Sequence, residues 1–168
     1  MRVMRWILSR LAVALILGVV IGLLVYHVAV PAAASAAARK ALSLDHFTRE
    51  TGSGAAGSRD AVYFAARYDC RNTVTRISGE APDAVYWMIG IYDNRFQRIP
   101  GGHLNDATIE IDDDGHFEAI IQQGPGNAQN TLECGNKGTG IILVRVFLPA
   151  DPESVAAPTI EREAITQD

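Results

Sequence analysis

The sequence has little cysteine, no surplus of positive charge and no alternation of strand-like with helix-like segments. Two cysteines in 168 residues exclude a disulfide-dense miniprotein. Fifteen Lys and Arg against nineteen Asp and Glu give a formal charge of −4. That balance excludes the broad basic footprint that nucleic-acid binding needs, so no nucleic acid is expected as a partner. Without a β–α alternation there is no parallel sheet of the nucleotide-binding kind, and no internal repeat is visible. What is present is an apolar fraction of 48%. At this length it supports one domain core and excludes a largely disordered or collagen-like chain.

Charge and hydropathy are distributed unevenly. Residues 11–30, LAVALILGVVIGLLVYHVAV, carry no formal charge. As a helix they would cover about 30 Å, the thickness of a bilayer hydrocarbon core. Trp6 and Tyr26 lie near the ends of the run, where amphipathic rings prefer the interface. Arg2, Arg5 and Arg10 precede it, and without them twelve basic residues face nineteen acidic ones. The positive-inside rule then predicts residues 1–10 in the cytoplasm of a bacterial cell, a span anchored in the inner membrane, and the remainder in the periplasm. A cleaved signal peptide is the rival reading, with Ala34-Ser35-Ala36 as a cleavage site. Gly18 and Gly22 form a small-xxx-small pair through which two such helices could form a homo-oligomer. Glycine is also commonplace in membrane helices. His27 is read as reaching toward the headgroups.

Residues 31–58 read as a juxtamembrane helix, Ala32 to about Arg49, followed by a Gly/Ser linker from Thr51 to Ser58. From Asp60 the pattern becomes alternating or continuously apolar between turns. Strands are predicted at 61–68, 72–78, 84–92, 96–99, 108–111, 116–122 and 141–148. Pro100-Gly101-Gly102 should stop the fourth, and Asp112-Asp113-Asp114-Gly115 should make a hairpin of the fifth and sixth. A polar loop from Gly124 to about Thr139 and an extended or frayed tail from Ala150, over 151–168, complete the reading. Seven short strands without helices between them indicate an all-β, antiparallel sandwich or barrel over residues 59–150.

The chemical motifs are thin. His103 and His116 stand near Asp106, Asp112 and Glu118, but no His-x-His pair or two-histidine ligand spacing occurs. The Asp112–Gly115 run lacks the alternate ligands and closing glutamate of an EF-hand loop. Ser53 and Ser58 lack the context of a nucleophile elbow. Gly135-Asn136-Lys137-Gly138-Thr139-Gly140 lacks the spacing and the following helix of a phosphate loop. No metal and no cofactor is expected. Cys70 and Cys134 permit one disulfide in an oxidising compartment, which would close a loop of about sixty residues; two separate thiols are the alternative.

Tyr63–Asp69, Cys70–Gly79, Ala84–Asp93 (AVYWMIGIYD), the Asp-Gly turn and Leu143–Pro149 (LVRVFLP) occur in an order that resembles the family called domain of unknown function 1214. The resemblance covers roughly Asp60 to Pro149. It departs at Phe147, where tyrosine is common, and at Asn130-Thr131-Leu132, where the family often has Asn-Trp-Leu-Pro. It implies a jelly-roll-like β-sandwich. It also implies a protein partner, because some members carry a second domain, unknown function family 1254, in the same chain and short membrane-anchored forms look like a split version. Asp69, Trp87, Tyr92, Asp93 and Arg145 fall at or near motif positions and are the candidate pocket or structural residues. No activity is attached to the family, so no catalytic residue follows.

Two functions are in competition. One is a binding or assembly module of the cell envelope. The other is an envelope enzyme on a polar, carbohydrate-like substrate, with Asp69, Asp93, His103, His116 or Arg145 converging in a pocket. The absence of a paired acid–base signature favours the first.

Overall fold

Helix α1 (Arg2–Leu24), a π turn over Val25–Ala29 and helix α2 (Val30–Ala41) follow one another without a break in the computed structural model, which describes residues 2–50, 60–126 and 128–165. Pro31 has no N–H to donate to the carbonyl four residues back, and the helix widens into the π turn just before it. Val13–Ala41 is long and apolar enough to cross a membrane, with a mean hydropathy of 2.7 and none of its most apolar window buried. Leu15, Ile16, Val19, Leu23 and Val28 are all exposed. The chain divides into two units, Met1–Ala36 and Ala37–Asp168. The predicted Gly/Ser linker lies outside the described residues.

The second unit is mostly β, in two sheets. Sheet A has the order β1-β2-β8-β4-β5, from β1 (Thr48–Glu50), β2 (Ala61–Asp69), β8 (Thr139–Pro149), β4 (Ala84–Asp93) and β5 (Arg98–Asn105). Sheet B has the order β7-β6-β3-β9, from β7 (Thr131–Glu133), β6 (His116–Gln122), β3 (Thr73–Glu80) and β9 (Thr159–Ala164). Every pairing is antiparallel except β6 with β7. One core is shared by both sheets: Phe64, Trp87, Ile89 and Val144 from sheet A meet Ile77, Phe117, Ala119 and Ile121 from sheet B. The alternation in β2, inward Val62, Phe64, Ala66 and Tyr68, follows from the two-residue period of a strand.

Four expectations need correction. The helix after the apolar run ends at Ala41, not near Arg49. Ala38 and Ala41 pack with Leu42 and Leu44 on Ala65 and Ile141, and Thr48–Glu50 then pairs with β2, so main-chain groups of β2 are satisfied by a strand. Pro100 does not end β5. It sits on the edge of sheet A, where a missing N–H breaks no ladder bond.

Thr108–Ile111 is not a strand beyond a single bridge from Ile111 to Phe117. The Asn130 side chain takes the place of a partner strand, accepting from Glu110 N–H at 2.7 Å and donating to the carbonyls of Glu110 and Glu118 at 2.8 and 2.9 Å. The tail from Ala150, read as extended or frayed and outside the β domain, contributes a strand to it, because Thr159–Ala164 completes sheet B against β3.

Cys70 and Cys134 are disulfide-bonded, 64 residues apart in sequence and 6.7 Å apart between Cα atoms. The bond ties the β2–β3 crossover to the end of β7, and Cys70 N–H also donates to the Gly138 carbonyl at 2.6 Å. Closing a loop of that length contributes about 4 kcal/mol in the chain-entropy model.

Candidate functional site

The candidate residues are distributed over three regions, and the register of sheet A shows which. Asp93 pairs with Gly140, and Tyr92 with Ile141, at the end of the unit that carries the disulfide. Trp87 pairs with Val146 toward the opposite end, and Arg145 pairs with Tyr63 and Met88 on the outward side of the sheet.

At the disulfide end the two aspartates close turns. Asp69 accepts from Arg71 N–H at 3.1 Å and from the Asn72 side chain at 2.8 Å. Asp93, 7% exposed, accepts from the N–H groups of Arg95 and Gln97 at 2.9 and 2.8 Å and lies 3.9 Å from Lys137 Nζ. These are side chains substituting for main-chain partners in tight turns. Tyr68 donates to the Tyr92 carbonyl at 3.4 Å. Burial, and then the nearby Asp93 charge, push its phenol well above the usual range. Tyr92 packs on Phe96 with ring centroids 5.3 Å apart.

On the outward side of sheet A the Arg145 guanidinium lies over two rings, 5.6 Å from the Tyr63 centroid and 5.5 Å from that of Phe147. Met88 extends the row and Tyr86 stands beside Phe147. Arg145 Nε is buried without a hydrogen-bond partner, and no described carboxylate pairs with the side chain. Such a planar cation held flat by aromatics can accept a carboxylate edge-on.

The enzyme residues do not converge. His103 sits on edge strand β5 opposite Gly90, His116 opens β6, and Arg145 faces outward. Among the described residues no group of three or more His, Cys, Asp or Glu is arranged to hold a metal ion.

The third region is a cavity of about 820 Å³ at the Trp87 end, floored by Phe64, Trp87, Phe117, Val144 and Val146. Two connections between the sheets frame it: Ala81-Pro82-Asp83 from β3 to β4, and Ala150–Pro158 from β8 to β9. They are joined by Ala150 N–H to the Asp83 carbonyl at 2.9 Å. Glu80, Asp83, His116 and Asp151 stand around it, and neither Lys nor Arg lines it. His116 is 3.9 Å from both Glu80 and Asp112. Of the sequence candidates only Trp87 belongs here, together with His116 from the enzyme set. Glu80, Asp83 and Asp151 carried no signal, because they belong to segments read as a turn and a tail.

No family model matches the chain, and no characterised protein matches its sequence. Solved structures that share the fold include two proteins of bacterial origin. An uncharacterised protein from Burkholderia cenocepacia has a TM-score of 0.64 at 14% identity, over 77% of this chain and 37% of its own. The VPA0106 protein from Vibrio parahaemolyticus has a TM-score of 0.51 at 19% identity, over 64% of this chain and 31% of its own. The chain thus spans about a third of the length of each neighbour.

Proposed function

We propose that the chain is a single-pass assembly module of the bacterial inner membrane. Its N-terminus is cytoplasmic, and a jelly-roll-like β-sandwich resembling unknown function family 1214 is displayed in the periplasm. Residues 11–30 are the membrane span, and the helix beyond them is juxtamembrane. The module docks a separate protein, of the type of unknown function family 1254, on the outward side of sheet A. The observation that carries this reading is the Arg145 guanidinium, sandwiched between Tyr63 and Phe147 with a buried Nε that no described residue satisfies. The terminal nitrogens of a guanidinium held over aromatic rings can pair edge-on with a partner's carboxylate. The reading is supported by the two neighbours, in which this fold occupies only about a third of a longer chain. The scatter of Asp69, Asp93, His103, His116 and Arg145 favours it over a catalytic pocket.

The test is purification of the full-length chain from non-ionic detergent extracts of its own membranes. The expected result is a stoichiometric second protein that is lost in Arg145→Glu and retained in Arg76→Glu, whose side chain lies on sheet B paired with Glu118 and Glu163. Wild-type chain that always purifies alone, or a partner indifferent to Arg145→Glu, overturns the reading.

A further inference from the structure

We infer that the protein docked on the outward side of sheet A presents an acidic surface, whose carboxylates meet Arg145 and Arg98 together. The inference rests on the docking reading above and names the chemistry of that partner. Arg145 stands opposite Met88, and Arg98 opposite Tyr92. Their main-chain positions are therefore about 16 Å apart: four residues along β4 at about 3.3 Å each, and two strands over at about 4.8 Å each.

Three observations carry it. The first is placement. Ile89, Ile91, Ile99 and Leu104 face the core, so the two-residue period of a strand turns Met88, Tyr92, Arg98 and His103 to the outward side with Arg145. Arg98 is exposed and forms no ion pair among the described residues. The second is what joins the two arginines. A Cβ on Gly90 would lie 2.9 Å from the Met88 methyl and 3.2 Å from the Tyr92 ring, so those side chains close over the glycine. With Tyr63 and Phe147 around Arg145, they make one aromatic and thioether strip that leads toward Arg98. Aromatic, methionine and arginine side chains are the ones in which interfaces are enriched.

The third is the sign of the charge. Beyond the three N-terminal arginines the chain has twelve basic residues against nineteen acidic ones. Yet β5 and β8 contain no Asp or Glu, and the one in β4, Asp93, is buried in the turn it closes. The outward side of sheet B is the reverse. Glu80, Glu118, Glu161 and Glu163 stand there, and Arg76 is the one Lys or Arg at an outward position of β3, β6 and β9. In a domain with a surplus of carboxylates, a side kept free of them is complementary to an anionic partner. A second copy offering its sheet B is disfavoured, because Glu118 and Glu163 already pair with Arg76 at 2.8 and 3.2 Å.

The test couples carboxylates to amines with a water-soluble carbodiimide, applied to the full-length chain and its copurifying protein in non-ionic detergent. Guanidinium groups do not react. Arg145→Lys and Arg98→Lys, made singly, therefore each place one amine on the strip while the other arginine holds the partner. Arg76→Lys is the control for the reagent, since Glu118 and Glu163 of the same chain lie beside that position. The expected result is an amide from position 145, and separately from position 98, to an Asp or Glu of the partner, located by peptide mass spectrometry. Raising salt from 0.05 to 0.5 M should cut the wild-type partner retained by at least about threefold. A partner that copurifies but forms no adduct at either position, while Arg76→Lys gives its internal one, overturns the inference and leaves the docking reading standing. Retention unchanged by salt does the same. An adduct with a second copy of this chain overturns the inference in favour of self-association. Wild-type chain that purifies alone overturns the docking reading, and the inference with it.

Discussion

Arg162 donates from one guanidinium nitrogen to the main-chain carbonyl of Arg67 at 2.8 Å, joining the last strand of sheet B to the second strand of sheet A. Its other terminal nitrogen donates to the Asp45 carbonyl at 2.7 Å, and the Asp45 carboxylate in turn pairs with Arg67 at 2.6 Å. One side chain thus satisfies carbonyls from two segments that β9 does not pair with. Burial first, and then the Arg67 charge, hold the Arg162 pKa below its ordinary value, and the Asp45 carboxylate opposes that shift.

Arg162→Met removes both donors while keeping the stem. It should cost about 1–3 kcal/mol, the scale of hydrogen bonds made by a charged donor. Arg162→Lys recovers less than half, because an ammonium cannot bridge two carbonyls held by a planar fork. Urea unfolding of the full chain in detergent measures both; equal stabilities for wild type and Arg162→Met would refute the bridging role.

Asn130 sits at φ 57° and makes three hydrogen bonds to Glu110 and Glu118. Asn130→Gly relieves the backbone but loses the bonds, and Asn130→Asp keeps an acceptor while losing both donors. Both should destabilise by about 1–2 kcal/mol, with amide exchange quickening at Glu110 before it does in β6. Protection at Glu110 that survives Asn130→Gly would contradict the account.

Gly140 and Gly115 separate two reasons for glycine. A Cβ on Gly140 would strike the Tyr92 carbonyl and the Tyr68 ring, so Gly140→Ala should cost more than about 3 kcal/mol by overpacking. Gly115 has open space at that position but φ +84°, so Gly115→Ala should cost about 1 kcal/mol of backbone strain. Thermal unfolding that ranks them the other way would sink the distinction.

Tyr68 sets an alkaline limit. Its phenol stays neutral in the folded chain above the pH near 10 at which an unfolded tyrosine ionises. A raised folded pKa means a contribution that is complete below pH about 10 and declines as pH rises toward the folded value. Tyr68→Phe should therefore show a shallower loss of stability between pH 9 and 11.5. Parallel curves for the two proteins would exclude this coupling.

Breaking the disulfide by replacing both Cys70 and Cys134 with serine should lower stability by at most about 4 kcal/mol, read as the midpoint of urea unfolding. An unchanged midpoint would mean that the loop it closes is already restricted in the unfolded chain.

Patterns of short range were legible in the residues. Val62, Phe64 and Ala66, or Ile142, Val144 and Val146, alternate with outward side chains because a strand has period two, and each lies in the core. Thr159–Ala164 and Thr48–Glu50 carry no strand pattern because their apolar content is low. They are held as strands by the main chains beside them, Thr159–Ala164 also by Arg162. Thr108–Ile111 differs for the converse reason: its apolar spacing is strand-like, but Thr108 and Ile109 N–H turn back to the Asn105 carbonyl and Glu110 bonds to the Asn130 side chain 20 residues away.

The sites show the same division. That Asp93, Tyr92 and Arg145 mark structured positions could be read from their places in strand ends and strand interiors, but the side of the sheet each one serves could not.

Taken alone, the order of residues determined a charge-free apolar run of membrane-spanning length and a β-rich remainder, since hydropathy and periodicity act over a few neighbours. Only the tertiary structure decided that Trp87 shares a cavity with Glu80, Asp83 and Asp151, and that Arg145 lies between Tyr63 and Phe147. Those neighbours are set by strand register and by crossovers between sheets, and the contacts that select them join residues up to about eighty positions apart.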